Sequence, residues 1–326
     1  MNPFISEGSI VYGERFVGRR EALGLIEDRV VGGMGCLAIV GQGRMGKSSL
    51  AYHALVRQRA RLAERNCLVV YVDIAELHSR DEFFKKIVRL TRDELEEYAP
   101  TFLEEARIQK LLEVAWQRDV QWLDLHDAVQ QLFKRIKRRG WNTVLIIDEF
   151  DAARNIFHGD IQAFQTLREL NYQPEWRVAL VTLSRRSIEE VEAQSKAISN
   201  LHGIFYTYHL PRFPMSELAE MVRRVEEAGI AYSTALTEAV YQYTGGHPYL
   251  SARLLSQYVS HWLETHQLSL ECAFQQLELT FASYYESVLD LLEEDKSDHK
   301  LLEIVCGPVI EATRIDARKL EAYQLI

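Results

Sequence analysis

The residues best placed to do chemistry lie in the run Gly41-Gln42-Gly43-Arg44-Met45-Gly46-Lys47-Ser48, which follows the apolar stretch Leu37 to Val40 and leads into an Ala- and Leu-bearing helical stretch. Glycines at these places let the backbone wrap closely round an anion, so that successive N–H groups and the start of the helix face phosphate oxygens. Lys47 is the point charge for the β- and γ-phosphates, and Ser48 offers a hydroxyl to Mg²⁺, an ion that keeps several waters and takes few protein ligands. The whole loop, with Ser49 after it, is the candidate contact surface for ATP or ADP.

A second constellation lies about a hundred residues on, where Val144-Leu145-Ile146-Ile147 runs into Asp148-Glu149-Phe150-Asp151. An apolar strand that ends in carboxylates is a Walker B pattern, and a parallel sheet presents the C-terminal ends of its strands to the ligand crevice. Asp148 is expected to hold Mg²⁺ through water. Glu149 is expected to orient and deprotonate the attacking water. A third candidate stands at the end of another apolar run, in Thr182-Leu183-Ser184-Arg185-Arg186-Ser187. In the additional-strand P-loop ATPases, which these motifs resemble, one strand often ends in a polar residue that senses the γ-phosphate, and Ser184, with Arg185, fits that place, although Ser187-Ile188-Glu189-Glu190 is itself a capping box before which polar residues are ordinary.

These residues need a scaffold. Five apolar or β-branched runs, Leu37–Val40, Leu68–Val72, Val144–Ile147, Val178–Leu183 and Ile204–Tyr208, alternate with helical patterns, which implies a parallel sheet covered on both faces. The expected fold is α/β with a five-stranded parallel P-loop core, and the resemblance of its motifs to the additional-strand P-loop ATPases implies a further strand between those that bear the two phosphate-site motifs. Helical spacing from Asp81 to Arg139 predicts a helical insertion. Leu210-Pro211-Arg212-Phe213-Pro214 breaks the pattern and marks a boundary. Beyond it, Ser216 and Ser233 are expected as N-caps of two helices, and Thr244-Gly245-Gly246-His247-Pro248 is expected to end the second and open a third. Further helices are expected at His299–Val305 and Asp316–Tyr323. The division is 1–35, an N-terminal nucleotide-contacting segment; 36–210, the core; 211–265, a small helical lid; and 266–326, a helical region.

The 326 residues, 47% of them hydrophobic and 26% charged, describe a folded chain with room for more than one unit. A net charge of -9 argues against non-specific attraction to nucleic acid or an anionic membrane. The basic run Lys134-Arg135-Ile136-Lys137-Arg138-Arg139 reads either as a nucleic-acid patch or as a helix C-terminus whose cations complement the macrodipole. Four scattered cysteines and ten histidines show neither zinc nor disulfide spacing. Nothing resembles a signal peptide or membrane span, so the expected location is the cytoplasm.

Together these motifs resemble the STAND class of signal-transducing P-loop ATPases, related to archaeal-type ATPases and to origin-recognition initiators of the AAA+ group. Phe16-Val17-Gly18-Arg19-Arg20-Glu21 is similar to that class's hhGRxxE signature, which lies against adenine and ribose. The acidic residue comes one place early here, with Ala22 after it, so Gly18 and Arg19 are the residues carried over. Gly246-His247-Pro248 resembles the GxP motif of the helical lid, whose Pro248 approaches the base. The helices after about Leu270 resemble the first part of a winged helix; the β-hairpin that completes one would follow, and the sequence ends at Gln324-Leu325-Ile326, so either the wing is absent or these residues belong to a longer chain. The resemblance implies an ATP-hydrolysing switch that couples nucleotide state to protein partners or self-association; the acidic balance argues against DNA contacts, and no membrane contact is expected. The alternative it implies is an initiator-type ATPase that acts on DNA through the winged helix.

Overall fold

The computed structural model describes residues 1–4, 9–294, 297–308, 312–322 and 324–325. Its sheet has five parallel strands: β1 Cys36–Val40, β2 Cys67–Asp73, β3 Asn142–Asp148, β4 Val178–Ser184 and β5 Phe205–His209. They lie in the order β2-β3-β4-β1-β5, so β4 is the additional strand between β1 and β3. Every residue of β1 and β4 is buried, as strands covered on both faces require, which accounts for their unbroken apolar composition. The fifth strand starts one residue later than its apolar run, because Leu201–Ile204 is wound into a helical turn.

The register aligns the strand ends that matter. Asp73 of β2 pairs with Asp148 of β3, Ile147 of β3 with Thr182 of β4, and Val40 of β1 with Ser184 of β4. The last residues of β1, β3 and β4 therefore stand side by side at the C-terminal end of the sheet's strands.

The chain divides into two compact units, one of Arg20–Val40 and Lys47–Tyr208, the other of Met1–Arg19, Gly41–Gly46 and His209–Ile326. The first contains the sheet and the insertion. The insertion is helical but broken: Arg80–Tyr98 ends before Pro100, and Ala106–Glu113 and Trp122–Arg138 follow. Ser79 caps the first of these helices by accepting the N–H of Glu82 at 3.2 Å. Phe83 anchors the packing, edge-on to Phe84 and Phe157 at centroid distances of 4.9 and 5.1 Å.

The second unit is helical, with a core that includes Phe213, Leu218, Val222, Leu254 and Val259. Phe4 belongs to that core, and the Asn2 amide donates to the Ser256 carbonyl at 2.8 Å, so the first residues are woven into the helices. Ser233 caps Thr234–Thr244 and Pro248 opens Pro248–Thr265, as the sequence predicts. Ser216 does not cap its helix. That helix is Met215–Arg223, and the Pro214 carbonyl begins it by accepting the N–H groups of Glu217 and Leu218, both at 3.0 Å. The C-terminal helices are Leu270–Gln275, Glu278–Glu294, Asp298–Cys306 and Arg314–Ala322; Tyr323 and Ile326 lie outside the described residues. No helix among the described residues is long and apolar enough to cross a membrane.

Candidate nucleotide site

In the sheet unit, the chain leaves β1 and enters the helix Lys47–Ala54, with Lys47 and Ser48 at its first turn. Lys47 is surrounded by charge: Asp151, Glu149 and Asp148 raise its affinity for a proton, and Arg185 lowers it. Desolvation outweighs all of these and pulls its pKa from 10.5 to about 8. A partly desolvated cation at a helix N-terminus is a poor resting arrangement and a good receptor for polyphosphate.

Asp148 ends β3 and is buried. Its Oδ1 accepts the N–H of Glu149 at 2.8 Å, and its Oδ2 accepts the hydroxyl of Tyr71 from β2 at 2.5 Å. Burial and then the negative charge of Asp148 push the Tyr71 pKa up, which keeps the phenol protonated as a donor. Glu149 has left-handed backbone angles, φ 55° and ψ 42°, uncommon for a residue with a side chain and often found where function fixes the backbone. This turn frees its carboxylate from the strand, and the side chain is exposed. Loss of hydration and then Asp148 raise the Glu149 pKa, against the pull of Lys47 and Arg185.

The end of β4 is fastened to the same place. Asp151 accepts the N–H of Arg185 at 2.6 Å and that of Arg186 at 3.2 Å, and it pairs with the fully buried Arg186 guanidinium at 3.5 Å. The Ser184 hydroxyl donates to the Arg186 carbonyl at 2.6 Å, whereas the Arg185 side chain is exposed. Lys47, Asp148, Glu149 and Arg185 are thus brought together, while the Ser184 hydroxyl is engaged by Arg186. Ser48 and Asp148 are hard oxygen donors. Among the described residues no group of three or more His, Cys, Asp or Glu could hold a metal. As oxygen donors Ser48 and Asp148 fit Mg²⁺, which otherwise leans on water and substrate phosphate; when bound, it would neutralise phosphate charge.

Gly41–Gly46 belongs to the other unit, where distant segments hold it. The Arg19 guanidinium donates to the Met45 carbonyl at 2.9 Å and to the Pro211 carbonyl, and it stacks on Phe213 at 4.5 Å. Arg19 is itself oriented by Glu217, which accepts its backbone N–H at 2.8 Å. Gly18 must be glycine here: φ is +66°, and a Cβ would come within 2.6 Å of the Glu217 carboxylate. Arg44 stacks on Tyr249 at 4.2 Å, and the Tyr284 hydroxyl donates to Gln42 Oε1 at 2.8 Å. Gly246, at φ +74°, lets the chain pass Phe213, whose carbonyl a Cβ would meet at 2.3 Å. His247 caps the helix that Pro248 starts, and its ring lies 4.6 Å from that of Tyr284.

Sequence reasoning did not single out Tyr71, Asp151, Arg186, Glu217 or Tyr284. Asp151 was legible as the second aspartate of the Asp148-Glu149-Phe150-Asp151 run, but its partners come from another strand. The basic run proves to be largely engaged within the protein. Lys134 and Arg138 reach Glu175, Lys137 donates to Asn142 at 2.5 Å, and Arg139 pairs with Glu105.

No curated protein matches the chain significantly by sequence. Among solved structures, a Walker-type ATPase of Pyrococcus abyssi is similar, at 14% identity and a TM-score of 0.62, over 98% of this chain and 93% of that one. The ORC2 protein of Aeropyrum pernix, in complexes with ADPNP and ADP, has 15% identity and a TM-score of 0.54 over 98% of this chain and 90% of that one. The ORC1 protein of the same organism, in complex with DNA, has 15% identity and a TM-score of 0.53 over 99% and 80%. At these identities the likeness is one of fold. The profile of an ATPase domain family found predominantly in Archaea matches residues 16–254, the greater part of the sequence. With its phosphate loop, carboxylate-tipped β3 and additional strand all inside that match, the chain belongs to this archaeal-type ATPase domain family.

Proposed function

We propose that the chain is an ATP-binding, ATP-hydrolysing switch of the STAND type, in which the state of the nucleotide governs assembly with protein partners or with further copies of itself. Lys47 and the Gly41–Gly46 backbone bind the phosphates, Ser48 and Asp148 serve Mg²⁺, and Glu149 is the general base. Segment 1–35 contacts the nucleotide through Gly18 and Arg19, residues 211–265 act as a lid with Pro248 near the base, and 266–326 respond to it. One observation supports coupling most directly: Gly41–Gly46 is held by Arg19 from before the sheet and by Tyr284 from far beyond it. A phosphate that reshapes this loop acts on both contacts at once.

Hydrogen exchange of the full chain, empty and with ADP or ATP, tests this reading. Protection around residues 278–294 should differ among the three states, and identical exchange would refute the switch. The initiator-type alternative draws support from the likeness to a DNA-bound ORC1 protein. Against it stand the engaged basic run and the near-neutral helix Arg314–Ala322, where Asp316 pairs with Lys300 at 2.7 Å. A salt-sensitive, sub-micromolar duplex DNA complex that ATP strengthens would favour the initiator reading.

A further inference from the structure

β2 is apolar and buried from Cys67 to Val72 with one exception, Tyr71. Side chains two apart on a strand share a face, and the parallel register sets Asp73 beside Asp148. Tyr71 is therefore the diagonal neighbour of Asp148 on the same face, and a phenol is long enough to span that diagonal. A phenylalanine would pack equally well there. The hydroxyl adds the 2.5 Å bond to Asp148 Oδ2, opposite the 2.8 Å bond from the Glu149 N–H to Oδ1. One donor on each oxygen fixes the plane of the carboxylate and leaves each oxygen further acceptor capacity.

We propose that Tyr71 is a positioning residue for the divalent cation that accompanies the nucleotide: its hydroxyl holds the Asp148 carboxylate in the one plane in which its free lone pairs serve that ion. The inference rests on the reading of Asp148 given above. Partners of this kind, which orient a ligand without touching the metal, typically contribute 10- to 100-fold in metal affinity. They leave metal-free contacts alone.

The test uses the full chain, a fluorescent ATP analogue and no turnover. Analogue affinity is measured in EDTA and then against rising Mg²⁺, for the parent, Tyr71→Phe, Asp148→Asn and the double variant. Tyr71→Phe should keep the EDTA affinity within about twofold and raise the Mg²⁺ midpoint about tenfold. In the Asp148→Asn background the same change should shift nothing further, since the group it orients is gone. An unchanged Mg²⁺ midpoint in a Tyr71→Phe protein of parental unfolding temperature overturns the proposal. So does equal weakening with and without Mg²⁺, which would mark Tyr71 as a packing residue. If Asp148→Asn itself leaves the parental Mg²⁺ response intact, the Asp148 assignment fails and the role of Tyr71 falls with it.

Discussion

Lys47→Met should stabilise the nucleotide-free protein while it cripples nucleotide binding. Methionine keeps the length of the side chain and removes the charge. The folded protein holds the Lys47 pKa at about 8 instead of 10.5, chiefly through desolvation. At about 1.36 kcal/mol per pKa unit, that difference is on the order of 3 kcal/mol. Partial solvent access to the residue screens part of it, which leaves about 2 kcal/mol opposing folding. A base whose folded pKa lies below its unfolded value costs stability in full below pH 8, where both states are charged. Between pH 8 and 10.5 the unfolded chain holds more protons, so parental stability rises with pH across that window. Calorimetric unfolding at pH 7 should therefore place the empty variant several degrees above the parent, with the gap closing towards pH 10. With ATP that advantage is offset, because the variant lacks a charged hydrogen bond worth about 1.5–3 kcal/mol, a roughly 10- to 150-fold loss of affinity. A variant that melts below the empty parent would refute the desolvation argument, and an unchanged ATP affinity would refute the site.

Two further outcomes are expected. Glu149→Gln should bind ATP as the parent does and turn it over about 10²- to 10⁴-fold more slowly, as loss of a positioned base requires; parental turnover in a single-cycle assay would remove Glu149 from that role. Glu94, which desolvation raises from 4.5 to about 7 despite its 3.0 Å pair with Arg59, holds a proton more readily in the folded state. Stability should thus fall as pH rises between 4.5 and 7, and Glu94→Gln should add about 2 kcal/mol at pH 8 and almost nothing at pH 4.5 in urea unfolding.

The strands were legible because their apolar runs are continuous, and the phosphate loop because its glycines, lysine and serine keep a spacing that few other structures require. Their order in space was anticipated only through the resemblance, since a parallel sheet is assembled by crossovers that leave no local mark on the chain. The missed residues share one cause. Tyr71 looks like any strand residue until the register sets it diagonal to Asp148, and Arg186 looks like half of a solvated Arg-Arg pair until Asp151 is seen beneath it. Ser216 misled for a local reason: a serine near a helix start is a natural cap, yet Pro214 had already supplied its carbonyl two residues earlier.

The grouping of Gly41–Gly46 with the helices beyond the sheet has a practical meaning for anyone who trims this chain. A fragment of residues 36–210 would contain every strand, the lysine and both Walker carboxylates, and by inspection would look like a complete nucleotide-binding module. It would lack Arg19 under Met45, Tyr249 against Arg44 and Tyr284 on Gln42, so the loop would start from many conformations instead of one. Ordering it would then draw on the binding energy of the nucleotide. Weak binding by such a fragment would measure the missing scaffolding and say nothing against the motif.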